Sequence, residues 1–269
     1  MNDKVYFKIL KEISKEQGYS ITRVIDGVFE LKKGNKKLYI RGKNFGLNSS
    51  LASSFAINKA HTYEILRRNN VEAVPHYELY QPYRYLVFGD QEKRNKKRID
   101  AVIKKEKLPL VIKPATGFGS NDVSLCASKR QINKTMSDLF IHECEVVLCP
   151  FRKIEHEYRT VFLNGKVELI FDKVIPVRVK RNKLMHNVTP VIISNTEQIY
   201  KKLERISKRA AKILGLDFAT VDIIETEDGK LEVLEVNSSV CLGKFAAKNK
   251  EHYEIAKTIY KKAWKKALK

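Results

Sequence analysis

Asp222, Glu235 and Asn237 have the residue types and the spacing to hold a cation. Asp228-Gly229 lies between two apolar runs and reads as a hairpin turn. A two-residue loop there sets Asp222 directly opposite Glu235, with Cβ atoms roughly 4.5–5.5 Å apart. Asn237 lies two residues further on and points from the same sheet face. The three converge among Val221, Ile223, Leu234 and Val236. Opposed carboxylates repel unless a proton or a cation lies between them. Oxygen-only ligands favour a hard ion, magnesium first. If this face is open to water, two solvated acids produce the same pattern.

Lys113 is the second element. It closes the apolar run Leu108-Pro109-Leu110-Val111-Ile112 and is followed by a polar, glycine-containing loop from Ala115 to Asp122. A lysine in that place suits a nucleotide phosphate, with loop N–H groups wrapping the anion. Gly117 and Gly119 match neither the Walker A string nor GxGxxG. Taken alone, a lysine snorkelling at a strand end fits as well.

The elements that must position these groups are legible as hydrophobic period and turn chemistry. Residues 4–17 predict a helix ended near Gly18. Val24–Leu31 and Lys37–Arg41 read as two strands around Lys33-Gly34-Asn35. Ser53 or Ser54 can cap a helix from about Ala56 to Arg68, after which Pro75 starts an extended piece from His76 to Phe88. The charged stretch Asp90–Lys107 reads as a solvated helix. Strands are expected at Val123–Cys126 and Glu145–Phe151. A hairpin is expected with Glu157–Leu163 and Lys166–Pro176 flanking Asn164-Gly165. A basic loop follows at Arg178–His186. A helix spans about Glu197 to Leu214, and a lysine-rich helix spans about His252 to Leu268.

Charge and cysteine usage narrow the class. The 52 basic residues against 31 acidic ones give a net charge of +21, which predicts an acidic partner without naming it. No apolar run approaches the roughly 20 residues of a spanning helix. The opening MNDKVYFKILKE is charged where a signal peptide is apolar. Cys126, Cys144, Cys149 and Cys241 form no CxxC pair. A soluble, cytoplasmic protein with reduced thiols is expected.

The order of these pieces resembles the ATP-grasp superfamily, especially RimK-like glutamate ligases and the ATP-grasp part of cyanophycin and glutathione synthetases. The resemblance runs from about Ser49 to Lys244. Its first piece is Ser53-Ser54-Phe55-Ala56-Ile57-Asn58-Lys59 and the exit Val71-Glu72-Ala73-Val74-Pro75, with Asn58 where the family usually has aspartate. The resemblance makes Lys59 and Lys113 the ATP-contacting lysines, and Thr116, Gly117, Gly119 and Ser120 part of a phosphate-covering loop. It places adenine against Leu148, Cys149, Pro150 and Phe151, ribose near Glu157, and Arg159 near the transferred phosphate. The strongest piece is Thr220-Val221-Asp222-Ile223-Ile224 with Leu234-Glu235-Val236-Asn237-Ser238-Ser239. There the resemblance assigns magnesium to Asp222, Glu235 and Asn237. Val240-Cys241 stand where the family has Pro-Gly, and the covering loop is glycine-poor.

The implied fold is α/β of the α+β kind, an ATP-grasp fold with two subdomains clasping ATP. Residues 1–55 would form a small N-terminal region and residues 56–269 the ATP-grasp domain, with about 76–150 as the smaller covering part. The implied enzyme uses ATP and magnesium, two ions with manganese as a substitute, to join a carboxylate to an amine through an acyl phosphate. Arg159 and Lys113 would be catalytic. Arg178, Arg181, Asn187 and Ser239 would face an anionic substrate, an amino acid or acidic peptide. Asp222→Asn is expected to abolish turnover and leave the fold nearly intact. An ATP-grasp kinase is the alternative within the fold. A basic nucleic-acid-binding protein is disfavoured, because the charge is spread along the chain and no nucleic-acid motif is present. A homo-oligomer is compatible with the basic C-terminal helix.

Overall fold

The computed structural model describes residues 3–82, 90–117, 122–174, 178–180, 183–185 and 189–268. Helix α1 (Asp3–Gln17) stops where Gly18 takes a φ of 70°. Strands β1 (Ser20–Ile25), β2 (Val28–Lys33) and β3 (Lys36–Arg41) form an antiparallel meander. The expected strand Val24–Leu31 is therefore two strands. Asp26-Gly27 turns the chain between them, and Gly27 supplies the positive φ of 75°.

Helix α2 (Ser50–Ile57), capped by the Ser49 hydroxyl, is followed by α3 (Lys59–Arg68). The single helix expected from Ala56 is thus broken at Asn58. Its carboxamide oxygen accepts the backbone N–H groups of Ala60 and His61, and so starts a new helix. The Asn58 Nδ2 donates to Glu145 Oε2 at 2.9 Å. That partner explains the residue that departs from the family pattern, because an aspartate would cap equally well but would face a carboxylate. Asn58→Asp should lower stability by about 1–3 kcal/mol near neutral pH. The deficit should shrink as pH falls and one acid takes up a proton, and Glu145→Gln should relieve it. Equal urea midpoints for Asn58→Asp and wild type would remove this account.

Strand β4 (Tyr77–Tyr80) is the described part of the extended piece expected to Phe88; residues 83–89 lie outside the described residues. Then come α4 (Gln91–Glu106), β5 (Leu110–Pro114), β6 (Ser124–Cys126), α5 (Lys129–Leu139) and β7 (Glu145–Pro150). Helix α5 was not anticipated; Ser128 caps it. The first hairpin is β8 (Ile154–Leu163) and β9 (Lys166–Val174), with positive φ at both Asn164 and Gly165. The basic stretch expected as a loop contains β10 (Arg178–Lys180) and β11 (Lys183–Met185), which pair with each other. The chain ends with β12 (Thr189–Ile192), α6 (Gln198–Ile213), β13 (Phe218–Thr226), β14 (Leu231–Asn237), α7 (Gly243–Ala246) and α8 (Lys250–Ala267).

Two larger sheets organise the cleft. One has the order β10-β11-β6-β5-β7-β4 and the other β12-β9-β8-β13-β14. The rear face of the five-stranded sheet carries Tyr158, Phe162, Ile170, Val221 and Ile223 under α2, α3 and α6. The front face is divided along the strands. Val161, Leu163, Leu169, Phe171 and Phe218 pack beneath α1, α7 and α8, and the other end carries the charged residues of the site. The six-stranded sheet buries Leu79, Leu110, Ile112, Val146 and Leu148 against α4 and α5, leaving its opposite face toward the cleft.

Candidate active site

At the charged end of the front face, β8 and β13 bring Arg159 opposite Asp222. The guanidinium donates twice, from Nε to Oδ1 at 2.7 Å and from Nη2 to Oδ2 at 2.5 Å. Lys173 on β9 donates to the same Oδ2 at 2.7 Å and to Glu157 Oε1 at 2.5 Å. Asp222 is 1% exposed. Burial opposes its charge, yet Arg159 and Lys173 hold its carboxyl well below the usual carboxylate range. Burial likewise opposes the charge of Arg159, and Asp222 keeps its pKa above the ordinary value. Lys173 was not anticipated from the sequence. Register reveals it: Tyr158 pairs with Asp172, so Lys173 shares the front face with Glu157 and Arg159.

The pairing of Asp222 with Glu235 is observed, but by a different route from the one expected. Thr226 N–H donates to Lys230 O, so the loop has three residues, Glu227 to Gly229, rather than two. Next to it Ile224 pairs with Glu232 and Ile223 with Val233. A β-bulge at Leu234 then restores Asp222 to Glu235. The extra residue explains why Val233 and Val236, three apart, both reach the rear core. It also puts the consecutive residues Leu234 and Glu235 toward the cleft. Asn237 Nδ2 donates to Glu235 Oε1 at 3.1 Å. Among the described residues no three His, Cys, Asp or Glu side chains are arranged to hold a metal by themselves. The donor set that fits a hard ion is mixed, two carboxylates and the Asn237 carboxamide, and leaves further positions for phosphate or water oxygens.

The six-stranded sheet supplies the opposite wall. Lys113 on β5 is buried, and no described group accepts from its Nζ. Lys59, the first residue of α3, reaches the same place: its backbone N–H donates to Ala115 O and its Nζ to Gly117 O at 3.1 Å. Burial first, and then the charge of Lys113, push the Lys59 ammonium down to about 8. Two neighbouring cations, neither of them salt-bridged to a described carboxylate, mark a place prepared for an anion. Thr116 and Gly117 are exposed at the cleft edge. Leu148 has a strand partner on either side, Tyr77 and Ile112, whereas Cys149 and Pro150 pair only with β5 and leave one backbone edge open among the described strands. Phe151 follows, partly exposed.

Apolar residues from both sheets meet beside this edge: Val74, Val111, Cys149 and Ile224, with Leu234 packed against them. Of these, the sequence places only Cys149 against the base, since the contact depends on the bulge and on how the sheets face each other. Arg152 spans the sheets and donates to both oxygens of Glu232. Ser239 is exposed after β14, and Val240 fills the family's proline position with a buried side chain whose carbonyl accepts from Tyr260. Gly119, Ser120, Arg181 and Asn187 lie outside the described residues, and Arg178 is described only as backbone.

A family model described as a RimK-like ATP-grasp domain matches residues 56–262. The chain belongs to this ATP-grasp family. As a member it is an ATP-dependent carboxylate–amine ligase, in a family for which magnesium is typical. Solved structures share the fold. The D-alanine–D-alanine ligase of Bacillus anthracis matches with a TM-score of 0.62 and 22% identity, covering 82% of this chain and 71% of that one. The VanG D-Ala:D-Ser ligase of Enterococcus faecalis matches with a TM-score of 0.57 and 16% identity, covering 71% and 55%. The ATP-grasp ligase PsnB, complexed with minimal precursor, matches with a TM-score of 0.52 and 17% identity, covering 80% and 64%. None of the curated proteins compared matches the chain. Among the described residues no helix is long and apolar enough to cross a membrane.

Proposed function

We propose that this ATP-grasp ligase phosphorylates the carboxylate of an amino acid or acidic peptide and couples it to an amine. The observation that carries the reading is the convergence on one cleft of Lys59 and Lys113 from one wall and Glu157, Arg159, Lys173, Asp222 and Glu235 from the other. Residues 76–150 act as the smaller covering subdomain within 56–269. Lys59 and Lys113 hold the phosphates, with Thr116, Gly117, Gly119 and Ser120 over them. The open edge from Cys149 to Phe151 receives adenine, and Glu157 lies near the ribose. Asp222, Glu235 and Asn237 hold magnesium, two ions in all with manganese as a substitute. The metal, when bound, neutralises phosphate charge.

A carboxylate oxygen attacks the γ-phosphorus and ADP leaves. The amine nitrogen then attacks the acyl carbon, a C–N bond forms as the acyl C–O bond breaks, and phosphate departs with the former carboxylate oxygen and the proton the nitrogen gives up. Arg159 and Lys173 stabilise charge on the transferring group, because positioning and electrostatics dominate phosphoryl transfer. The four free cysteines fit a cytoplasmic setting.

Lys59 should report nucleotide binding through protons. A free ammonium with a pKa near 8 is largely neutral at pH 9, and a bound phosphate restores its charge. ATP binding at pH 9 should therefore take up nearly one proton, and Lys59→Arg should take up none. Calorimetry in buffers of different ionisation enthalpy measures this. Heats independent of buffer in the wild type would contradict it.

Substrate identity is tested by ADP release over amino acids, dipeptides and acidic polymers, with mass spectrometry of products. Amide plus ADP is expected, and a phosphoester would overturn the ligase reading. Arg178 and Arg181, with Asn187 and Ser239, form the substrate side in this proposal. A steered anion should lose kcat/KM steeply with ionic strength. An unchanged salt slope in the Arg178→Ala/Arg181→Ala protein would remove this loop from the substrate site.

A further inference from the structure

His76 is buried, 5% exposed, and stands just before β4. Glu78 pairs with Val147 and Val147 with Lys113. Two residues before Glu78 in the same alternation, His76 points from the sheet face that carries Glu78, Val147 and Lys113. It therefore faces the cleft, bonded to the carbonyl of Val74 in the apolar cluster and near enough to Lys113 and Lys59 to feel both charges.

Its protonation is fixed by its surroundings. Burial first, then the charges of Lys113 and Lys59, push its pKa well below the ordinary value, so the ring is neutral at neutral pH. Nδ1 lies 2.8 Å from the Val74 carbonyl oxygen, which only accepts. The one ring proton must then sit on Nδ1 and donate to Val74. Nε2 is left as a bare acceptor, and among the described residues it has no hydrogen-bond partner. A buried acceptor without a donor is costly unless a ligand supplies one.

Phosphate oxygens only accept and cannot serve. The donors on a nucleotide are the ribose hydroxyls and the exocyclic amino group of the base, and only the base belongs among apolar side chains. We infer that His76 accepts a hydrogen bond from the 6-amino group of adenine and is a specificity-determining residue of the nucleotide pocket. The inference rests on reading this cleft as the ATP site.

The test compares ATP with purine riboside triphosphate, which has the same ring shape and no 6-amino group. Calorimetry on the full chain should show that His76→Leu lowers the preference for ATP over the analogue by about tenfold or more, through weaker ATP binding. An unchanged preference would overturn the inference, because Lys113 turning to donate to Nε2, or a purely structural imidazole, affects both nucleotides alike. Nitrogen-15 spectra of the wild type give the same answer without a substitution. The His76 Nε2 resonance should move upfield with ATP and stay in place with the analogue; equal shifts with both would overturn the inference. Failure of the wild type to bind either nucleotide would remove the ATP reading of the cleft together with this inference. ATP binding with an unaltered preference removes the inference alone.

Discussion

Asp222→Asn is expected to lose about a thousandfold or more in turnover and about 2–3 kcal/mol of stability, at or below the lower end for breaking a buried ion pair. The catalytic loss follows from its place in the cation-binding set. The stability loss follows from geometry that composition does not show. A neutral amide at this 1% exposed position cannot balance Arg159 and Lys173, both of which now donate to the carboxylate. Glu157 still pairs with Lys173 and part of the guanidinium reaches water, which moderates the cost. The expectation that the fold would stay nearly intact is therefore replaced. Because the folded carboxyl is depressed, its contribution is present above the ordinary aspartate value of about 4 and is lost as pH falls through the lower folded value. The urea deficit of the variant should accordingly persist to about pH 4 and narrow only below it. Full ADP formation would remove the catalytic assignment, and an unchanged urea midpoint would remove the ion pairs.

Lys113→Met should weaken ATP binding at least about a hundredfold, close to 3 kcal/mol, and should at the same time stabilise the free protein. The opposite signs have one cause. Lys113 is 8% exposed, has no described acceptor and repels Lys59. Removing one of two neighbouring positive charges relieves their repulsion while no phosphate is bound, as is common where binding is built at the expense of stability. The methionine keeps the apolar stem packed against its neighbours and removes only the charge. Lys265→Met, at an exposed position on α8, is the control. Equal ATP affinities for the two variants would sink the assignment, and a less stable Lys113→Met would sink the repulsion argument.

The family and the main strands were legible because the Asp222 and Glu235 hairpin, Lys113 and Lys59 follow one another in a characteristic order. What escaped the sequence depended on register or on partners far away in the chain. The Asp222–Glu235 pairing was anticipated correctly although its loop is one residue longer, since the bulge at Leu234 compensates. No local signal marks that bulge, so Leu234 and Ile224 could not be placed in the apolar pocket. Alternation along β9 sends Asp172 and Lys173 to opposite faces, and only the β8–β9 register tells which of the two meets the cleft. The helix break at Asn58 had a signal, a cap residue, but Ser53 and Ser54 offered competing ones. His76 reads as an ordinary strand residue, because no sequence pattern marks the Val74 carbonyl that leaves its Nε2 bare.

The core beneath α8 also dictates an order of events. Tyr6 packs on Tyr260, Tyr19 on Trp264, and Lys261 donates to Glu16 across 245 residues of chain. A ribosome makes the first of these partners long before the second. Until residues 250–268 emerge, Ile9, Leu10 and Ile13 have no α8 to cover them. Contacts of such long range form late and slowly, and they leave apolar surface open in the interval. Chaperone dependence should therefore fall on the segment that carries Ile9, Leu10 and Ile13, because the helix that covers it is synthesised much later.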